Sequence, residues 1–424
     1  MTGSPVTVAI VGGGLAGLCA ARRLTDMGVT CSILEARDRV GGRVATDTVD
    51  GFLLDRGFQV FLTSYPEARR VLDYEGLELH EFLSGSLVRW SGRMYPVADP
   101  WRQPLEGMKS LFTPVMRLGD APKLARLRQD ALARSRSGAA SEPDESTLRY
   151  LRRLGLSTEV IERFFRPFFS GVFLDPELAT SRSLFDFVFA MFATGHATLP
   201  AAGMGAIPKQ LHAGLPPDTV RTGTRVRSVR PGIVELASGE DIRAAAVILA
   251  TDAAQAAALS PIRPRVAWHG CTTSYFAADK APLADPTLVL NGGGPASGPV
   301  NHLAVPSNVA ASYAPAGAAL ISATILGVPA AEDPSLEDQV RQQLTGWFGP
   351  EVRSWRHLRT DRIAHALPTY TLSRAPNNGA AERLDETVFA CGDYLENPSI
   401  NGAMLSGRRA ADRVLATLGV AVMD

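Results

Sequence analysis

Val6-Thr-Val-Ala-Ile-Val-Gly12-Gly13-Gly14-Leu15-Ala16-Gly17-Leu18, continued by Cys31-Ser-Ile-Leu-Glu35-Ala36-Arg37-Asp-Arg39-Val-Gly41-Gly42-Arg43, decides the fold. A β-branched strand runs into a glycine turn, a helix follows, and a second strand ends on an acid. That order makes a βαβ unit that binds a dinucleotide. Gly12 permits the tight turn, Gly14 lets backbone approach a pyrophosphate, and Gly17 lets the helix pack on the sheet. The N–H groups around Leu15 and Ala16 and the positive helix end face the phosphates. Glu35 stands 23 residues after Gly12. A carboxylate there accepts from ribose hydroxyls and repels a 2′-phosphate, which argues against NADP.

The continuation points to FAD rather than NAD. Gly41 and Gly42 bring backbone past the cofactor a second time, and Arg43 can offset phosphate charge. Near the other end, Val388-Phe-Ala-Cys-Gly392-Asp393 reads as a buried strand ending in Gly-Asp. The turn Asn397-Pro-Ser399-Ile400-Asn401-Gly402-Ala403-Met404 follows, then a helix from Leu405 towards Leu415.

These two motifs together resemble the superfamily of flavin amine oxidases, phytoene desaturases and protoporphyrinogen oxidases. The N-terminal match spans Val6 to about Phe61 and includes Leu54-Asp55-Arg-Gly57-Phe58-Gln59. The resemblance implies a GR2-type Rossmann domain with Ala36 and Arg37 beside the ribose acid and Gly57, Phe58 and Gln59 near the flavin ring. It also implies cofactor contacts from Val226 and Thr251, from Gly392 and Asp393, and from Ser399, Ile400, Asn401 and Ala403. The last helix would stabilise charge on reduced flavin.

The chain departs from that pattern in two places. Amine oxidases of the superfamily carry a lysine near flavin N5, where Thr272 or Thr273 stands here, with Lys280 several residues later. Many place a tyrosine where this chain has Ser399. The segment Leu367-Pro-Thr-Tyr370-Thr-Leu-Ser-Arg-Ala-Pro holds no cysteine, so non-covalent FAD is expected. Leu367-Pro-Thr-Tyr370 resembles protoporphyrinogen oxidases over too short a stretch to assign a substrate.

An α/β fold of two domains is expected at 424 residues. The FAD-binding domain is read as discontinuous, over 1–95, 199–262 and 363–424. The mixed α+β substrate domain takes 96–198 and 263–362. The first of these insertions reads as helical, with a polar stretch over 135–147 and an apolar face at Leu148, Leu151 and Leu154 ended by Gly155. The second mixes strands (Thr272–Phe276, Ala318–Leu326) with a helix around Leu336–Phe348. A helix around Ile207–Leu215, one alternating strand over Val220–Val229, a hairpin turn at Ser238-Gly239 and a buried strand from Ala246 fill the middle piece.

The formal net charge of zero gives no basic excess for nucleic acid. Cys19, Cys31, Cys271 and Cys391 form neither a CxxC pair nor metal spacing, and read as buried thiols of a reducing compartment. With Val6 already starting a strand and no long apolar run, a cytoplasmic protein is expected. Leu111, Phe112, Val115 and Met116 lie near Arg117, Lys123, Arg126 and Arg128, as an interfacial segment contacting a membrane would.

Nine of the 17 phenylalanines fall in Ile161–Phe192. They read as an aromatic wall around an apolar substrate, or as plain core. No residue has the pattern of a dedicated acid–base catalyst, and the seven histidines show no metal or triad spacing. Gln59, Arg166, His196 and Tyr370 are the catalytic or substrate-contact candidates. The expected function is an FAD-dependent oxidoreductase that removes a hydride from an apolar substrate, by C–C dehydrogenation or C–N oxidation. Electrons would pass on to oxygen, a quinone or another carrier. A flavin-dependent isomerase or mutase, and a non-catalytic FAD-binding protein, are the alternatives.

Overall fold

Alternating apolar strands and helices settle into two sheets that share one cavity. The computed structural model describes residues 8–137, 144–260, 266–330, 333–371 and 382–421. The strand start at Val6, the centre of the polar stretch 135–147 and the part of the cysteine-free segment from 372 onward lie outside these residues.

The first sheet has six strands in the order Val220–Arg221, Cys31–Leu34, Val8–Val11, Ala246–Leu249, Val388–Ala390 and Glu382–Arg383. The first five run parallel and the last is antiparallel. Val8, Ile10, Ile33, Ala246 and Ile248 are fully buried, as strands covered on both faces require. The helix Leu15–Asp26 covers one face and packs against the helix Ile400–Thr417. A three-stranded meander, Val226–Arg230, Ile233–Leu236 and Asp241–Arg243, covers the other.

Two local readings change. The stretch read as one strand over Val220–Val229 is two strands in different sheets. Gly223, at φ +64°, turns the chain between them, and its N–H is held by the Arg37 carbonyl. The turn read at Ile400–Met404 is the first turn of the last helix, which therefore starts five residues earlier than its apolar pattern suggests.

The second sheet has seven strands in the order Arg356–Pro368, Trp268–Ala278, Ala319–Leu326, Val300–Ala304, Leu288–Asn291, Gly85–Trp90 and Arg93–Ala98. The cuts read at residues 95 and 363 thus fall inside two of its strands. The hairpin 85–98 joins this sheet because Ser86–Arg89 pairs with Leu288–Asn291, a long-range match that local patterning does not carry. One face, with Phe276, Ile321, Ala323 and Ile325, packs on Leu336, Val340 and Leu344 of the helix Asp333–Phe348. The opposite face carries Thr273, Ser322, Thr324 and His302, in keeping with the two-residue period of a strand. Helices Arg166–Phe173 and Arg182–Thr194 close the space on that side around a phenylalanine cluster.

A buried knot at Asp55 joins the pieces. Its carboxylate accepts from Thr46 Oγ1 (2.5 Å), Tyr313 Oη (2.8 Å) and the Met204 N–H (2.9 Å), while Tyr275 Oη donates to its carbonyl at 2.7 Å. Burial outweighs those bonds and pushes the carboxyl up to about 6. The folded state therefore holds this proton at higher pH than the unfolded chain. The group's stabilisation is complete below about pH 4 and is lost as pH rises through 6. The native protein should gain stability relative to Asp55→Asn, on the order of 2–3 kcal/mol, between pH 7 and pH 4. Denaturant unfolding of both proteins at the two pH values checks this. A gap that does not change with pH contradicts it.

Candidate active site

The strand Val8–Val11 ends at Gly12, where φ is +107° and a Cβ would sit 2.8 Å from the Ala250 carbonyl oxygen. A Cβ on Gly17 would lie 2.0 Å from the Gly12 oxygen. Gly17 therefore fixes helix against turn and does not itself line the cavity. Gly14 is the opposite case: a Cβ there meets nothing within 4 Å, because it points into open space. The helix Leu15–Asp26 has no side-chain cap and no acid in its first turn. Its end, lined by Gly14, Leu15 and Ala16, is left to an anion.

Glu35 is buried beside this turn. Its Oε2 accepts from the Gly13 N–H at 2.7 Å and its Oε1 from the Arg37 N–H at 2.8 Å. Each oxygen keeps a lone-pair site for a ribose hydroxyl. The Gly41 N–H bonds the Gly13 oxygen at 2.8 Å, so the second glycine pair comes alongside the first. Ala36, Arg37, Gly42, Val226 and Thr251 stand on the same cavity wall.

Arg43 ties three pieces of chain together. It pairs with Asp393 Oδ1 at 2.6 Å and donates to the Ala366 carbonyl at 3.0 Å, with its guanidinium 5.4 Å from the centre of the Trp268 ring. Its charge is thus matched by Asp393 before any phosphate arrives. Arg56, inside the Leu54–Gln59 segment but given no role there, stands on the same wall. Burial lowers its pKa, and the Arg37 charge lowers it further, against the opposing pull of Asp361 and Asp47.

At the other end, Gly392, Asp393, Ser399, Ile400 and Ala403 line the cavity. Ser399 caps the last helix: its Oγ accepts from the Gly402 N–H at 2.9 Å. Asn401 turns away from the cavity, where its Oδ1 accepts from the Glu67 N–H at 3.0 Å.

The cavity is continuous and measures about 1130 Å³. It runs from the glycine turn past Gly57 and Phe58 to Phe164, Phe168, Phe189 and Phe192. Pockets for a single drug-sized ligand measure roughly 300–1,000 Å³, so this cavity lies above that range. The phenylalanines divide: Phe165 and Phe169 are almost fully buried yet still line the cavity, Phe185 is core behind them, and Phe187 stacks on Tyr65 at 6.3 Å.

The catalytic candidates are not brought together. Gln59 borders the cavity, but both hydrogens of its amide fasten backbone, to the Arg43 and Arg56 carbonyls at 3.0 Å each. Arg166 lies outside the cavity wall, paired with Glu162 at 2.5 Å. His196 lies outside it too, with Nδ1 2.8 Å from Glu81 Oε2. Tyr370 packs against the phenylalanine cluster, and burial pushes its hydroxyl up to about 12. Nearness in sequence to the aromatic run did not reveal which way these side chains turn.

At the position of the family lysine, Thr272 turns to the Gly327 carbonyl at 3.0 Å. Thr273 Oγ1 lies under Gly57, 3.8 Å from where a Cβ would be, and Lys280 is exposed beyond the strand. His302, Thr324 and Cys271 line this part of the cavity. His302 is buried with its ring 5.5 Å from Phe58, and burial pulls its pKa to about 4. It was missed because a lone histidine in an apolar strand more often serves packing. The one available signal was two polar residues, Asn301 and His302, between Val300 and Leu303. Among the described residues no helix is long and apolar enough to cross a membrane.

Comparison with known proteins agrees with this geometry. Spinach (Spinacia oleracea) protoporphyrinogen oxidase 1, a chloroplastic protein, is 32% identical over 194 residues, covering 44% of this chain and 32% of that protein. The matched stretch thus spans about a third of that relative's length. Coproporphyrinogen III oxidase of Mycobacterium tuberculosis is 28% identical over 316 residues, 68% of each chain. Putrescine oxidase of Kocuria rosea is 37% identical over 115 residues, a quarter of this chain and 24% of that protein. Among solved structures, putrescine oxidase bound to putrescine superposes with a TM-score of 0.71 at 17% identity, over 97% of this chain and 99% of that one. Reduced UDP-galactopyranose mutase superposes with a TM-score of 0.70 at 16% identity, over 99% and 97%. The model of the flavin containing amine oxidoreductases matches residues 15–415, and with it the chain belongs to that family of flavin-dependent proteins.

Proposed function

We propose that this protein is an FAD-dependent oxidoreductase that removes a hydride from an otherwise apolar small molecule, by C–C dehydrogenation or C–N oxidation. The carrying observation is the single cavity that joins the glycine turn and Glu35 to a phenylalanine-walled lobe. A bound flavin supplies the hydride acceptor at N5. The chain supplies proximity, orientation and a dry site. Gly57 and Phe58 separate the two lobes, the phenylalanines exclude water, and the capped end of the Ile400–Thr417 helix directs its positive dipole into the cavity. The unpaired first turn at Leu15 and Ala16, the Arg37–Arg56 pair and Glu35 would hold pyrophosphate and ribose. Non-covalent attachment is supported by the thiols: Cys271, which faces the cavity, is pushed up to about 11 by burial and is a poor nucleophile. Acid precipitation should therefore leave all the flavin in the supernatant. Flavin retained on the pellet contradicts this.

We place the division between the two units at about residues 84 and 369, where sheet membership changes. Oxygen, a quinone or another carrier takes the electrons. The reaction is tested by anaerobic mixing with porphyrinogens, amines and polyenes, with flavin bleaching and product mass as readouts. Bleaching with loss of two hydrogens supports the proposal. An isomeric product without net redox supports a mutase instead.

Leu105 (74% exposed) and Phe112 (77%) are exposed apolar side chains in the stretch of chain that also supplies Gly107 and Leu111 to the cavity wall. Trp101 and Met108 are both exposed and on the cavity wall. Val115 and Met116, read as part of an interfacial segment, are instead buried, and it is Leu105, Phe112, Trp101 and Met108 that support peripheral contact with a lipid surface as the route for an apolar substrate. Co-sedimentation with phosphatidylcholine–phosphatidylglycerol vesicles should fall several-fold in Leu105→Ser/Phe112→Ser. An unchanged bound fraction contradicts the contact.

A further inference from the structure

One wall of the cavity, beside the place expected for the flavin ring, carries a row of polar side chains that packing does not explain. Thr273, Thr324 and His302 are register partners across three neighbouring strands, so they share one face of the seven-stranded sheet. Thr324 and His302 line the cavity beside Gly57 and Phe58, and Thr273 lies beneath Gly57. Thr273 is fully buried and Thr324 is 3% exposed, yet neither hydroxyl has a hydrogen-bond partner. Orphaned buried hydroxyls cost free energy unless a ligand or water satisfies them.

The hydrogen bonds around His302 settle its tautomer. Asn301 Nδ2 donates to the Pro167 carbonyl at 2.9 Å, which fixes that atom as the amide nitrogen. Its Oδ1 lies 3.1 Å from Ser170 Oγ, which can only donate to it. The second Nδ2 hydrogen faces His302 Nδ1 at 3.0 Å. Nδ1 must therefore accept, and the neutral ring carries its proton on Nε2. Burial keeps the ring neutral, with its pKa near 4. Gly171 holds the arrangement close, since a Cβ there would lie 2.8 Å from Nδ1. With Nδ1 taken and the ring on the cavity wall, Nε2–H is the edge offered to a ligand.

We infer that His302 is a specificity-determining hydrogen-bond donor, and that the substrate carries an acceptor near its oxidised carbon: a carbonyl or carboxylate oxygen, or an unprotonated nitrogen. A bare hydrocarbon would leave Nε2–H and the Thr324 hydroxyl buried and unsatisfied. A neutral Nε2–H ring with Nδ1 occupied has no free lone pair, so His302 positions the substrate and is not its base. This deepens the proposed function and rests on that reading for the site's purpose.

Two readouts test it on the flavin-loaded protein. The first is nitrogen NMR of ¹⁵N-histidine-labelled protein, with the His302 signals assigned by their loss in His302→Gln. Protonated Nε2 and bare Nδ1 are expected; the opposite tautomer or an imidazolium at neutral pH overturns the inference. The second is titration with 2-acetonaphthone and its hydrocarbon match 2-ethylnaphthalene, read by perturbation of the flavin spectrum. The ketone should bind about tenfold more tightly, the worth of one neutral hydrogen bond. His302→Leu should erase that preference, and His302→Gln, which keeps an N–H donor, should retain part of it. No preference in the native protein, or one that survives in His302→Leu, overturns the inference. Failure to take up flavin at all would sink the proposed function, whereas the tautomer, then read on the protein without flavin, would still decide whether His302 offers Nε2–H.

Discussion

Gly14→Val is expected to leave the protein folded and to weaken FAD binding at least a hundredfold, about 2.7 kcal/mol. Gly14 has φ −76° and ψ −179°, a conformation valine adopts without strain. A Cβ at Gly14 meets no protein atom within 4 Å. The branched side chain would occupy the space over the helix end, where the pyrophosphate is to lie. The folding cost is limited to a weaker helix cap, about 1 kcal/mol. Equilibrium dialysis against FAD, beside a thermal melt of the apoprotein, separates the two effects. A variant that binds FAD normally contradicts the placement of the phosphates. Glu35→Gln in the same background should remove what retention remains.

The second large effect is on stability. Gly407 lies in the helix Ile400–Thr417 where it crosses the helix Leu15–Asp26, and a Cβ there would stand 2.0 Å from the Ala16 carbonyl oxygen. Backbone cannot yield as a flexible side chain does, so Gly407→Ala must push the helices apart, at about 3 kcal/mol. Leu15 and Ala16 on one helix, and Ile400 and Ala403 on the other, belong to the same cavity wall. The variant should therefore lose flavin as well as stability. Gly346→Ala is the control: it also lies in a helix, a Cβ there meets nothing within 4 Å, and about 0.5–1 kcal/mol of stabilisation is expected. Denaturant unfolding of the three proteins checks the pair. Equal stability of Gly407→Ala and the native protein would falsify the close packing.

What could be read from the sequence was whatever is local and periodic. The strand before Gly12, the helix behind it and Glu35 at its distance sit together in the fold as their spacing suggests, because one βαβ unit carries its own instructions. The far Gly-Asp motif reaches the same cavity, and its link to Arg43 spans 350 residues. Pairing between distant strands was not legible. The hairpin 85–98 looks like an extension of the first domain until Leu288–Asn291 is found beside it. Side-chain direction was not legible either. Arg166 and His196 flank the aromatic run in sequence but turn to Glu162 and Glu81, while His302, over a hundred residues away, faces the lobe. Gly17 and Asn401 belong to their motifs by position, yet both serve packing around the site rather than its wall.

The most direct test of the central claim, that one cavity holds flavin and substrate in contact, is the absorption spectrum of the purified protein before and after anaerobic addition of porphyrinogens, amines and polyenes. The account predicts an oxidised-flavin spectrum that one of these classes bleaches, with recovery when oxygen or a quinone is admitted. A protein that shows no flavin after reconstitution with FAD would contradict it.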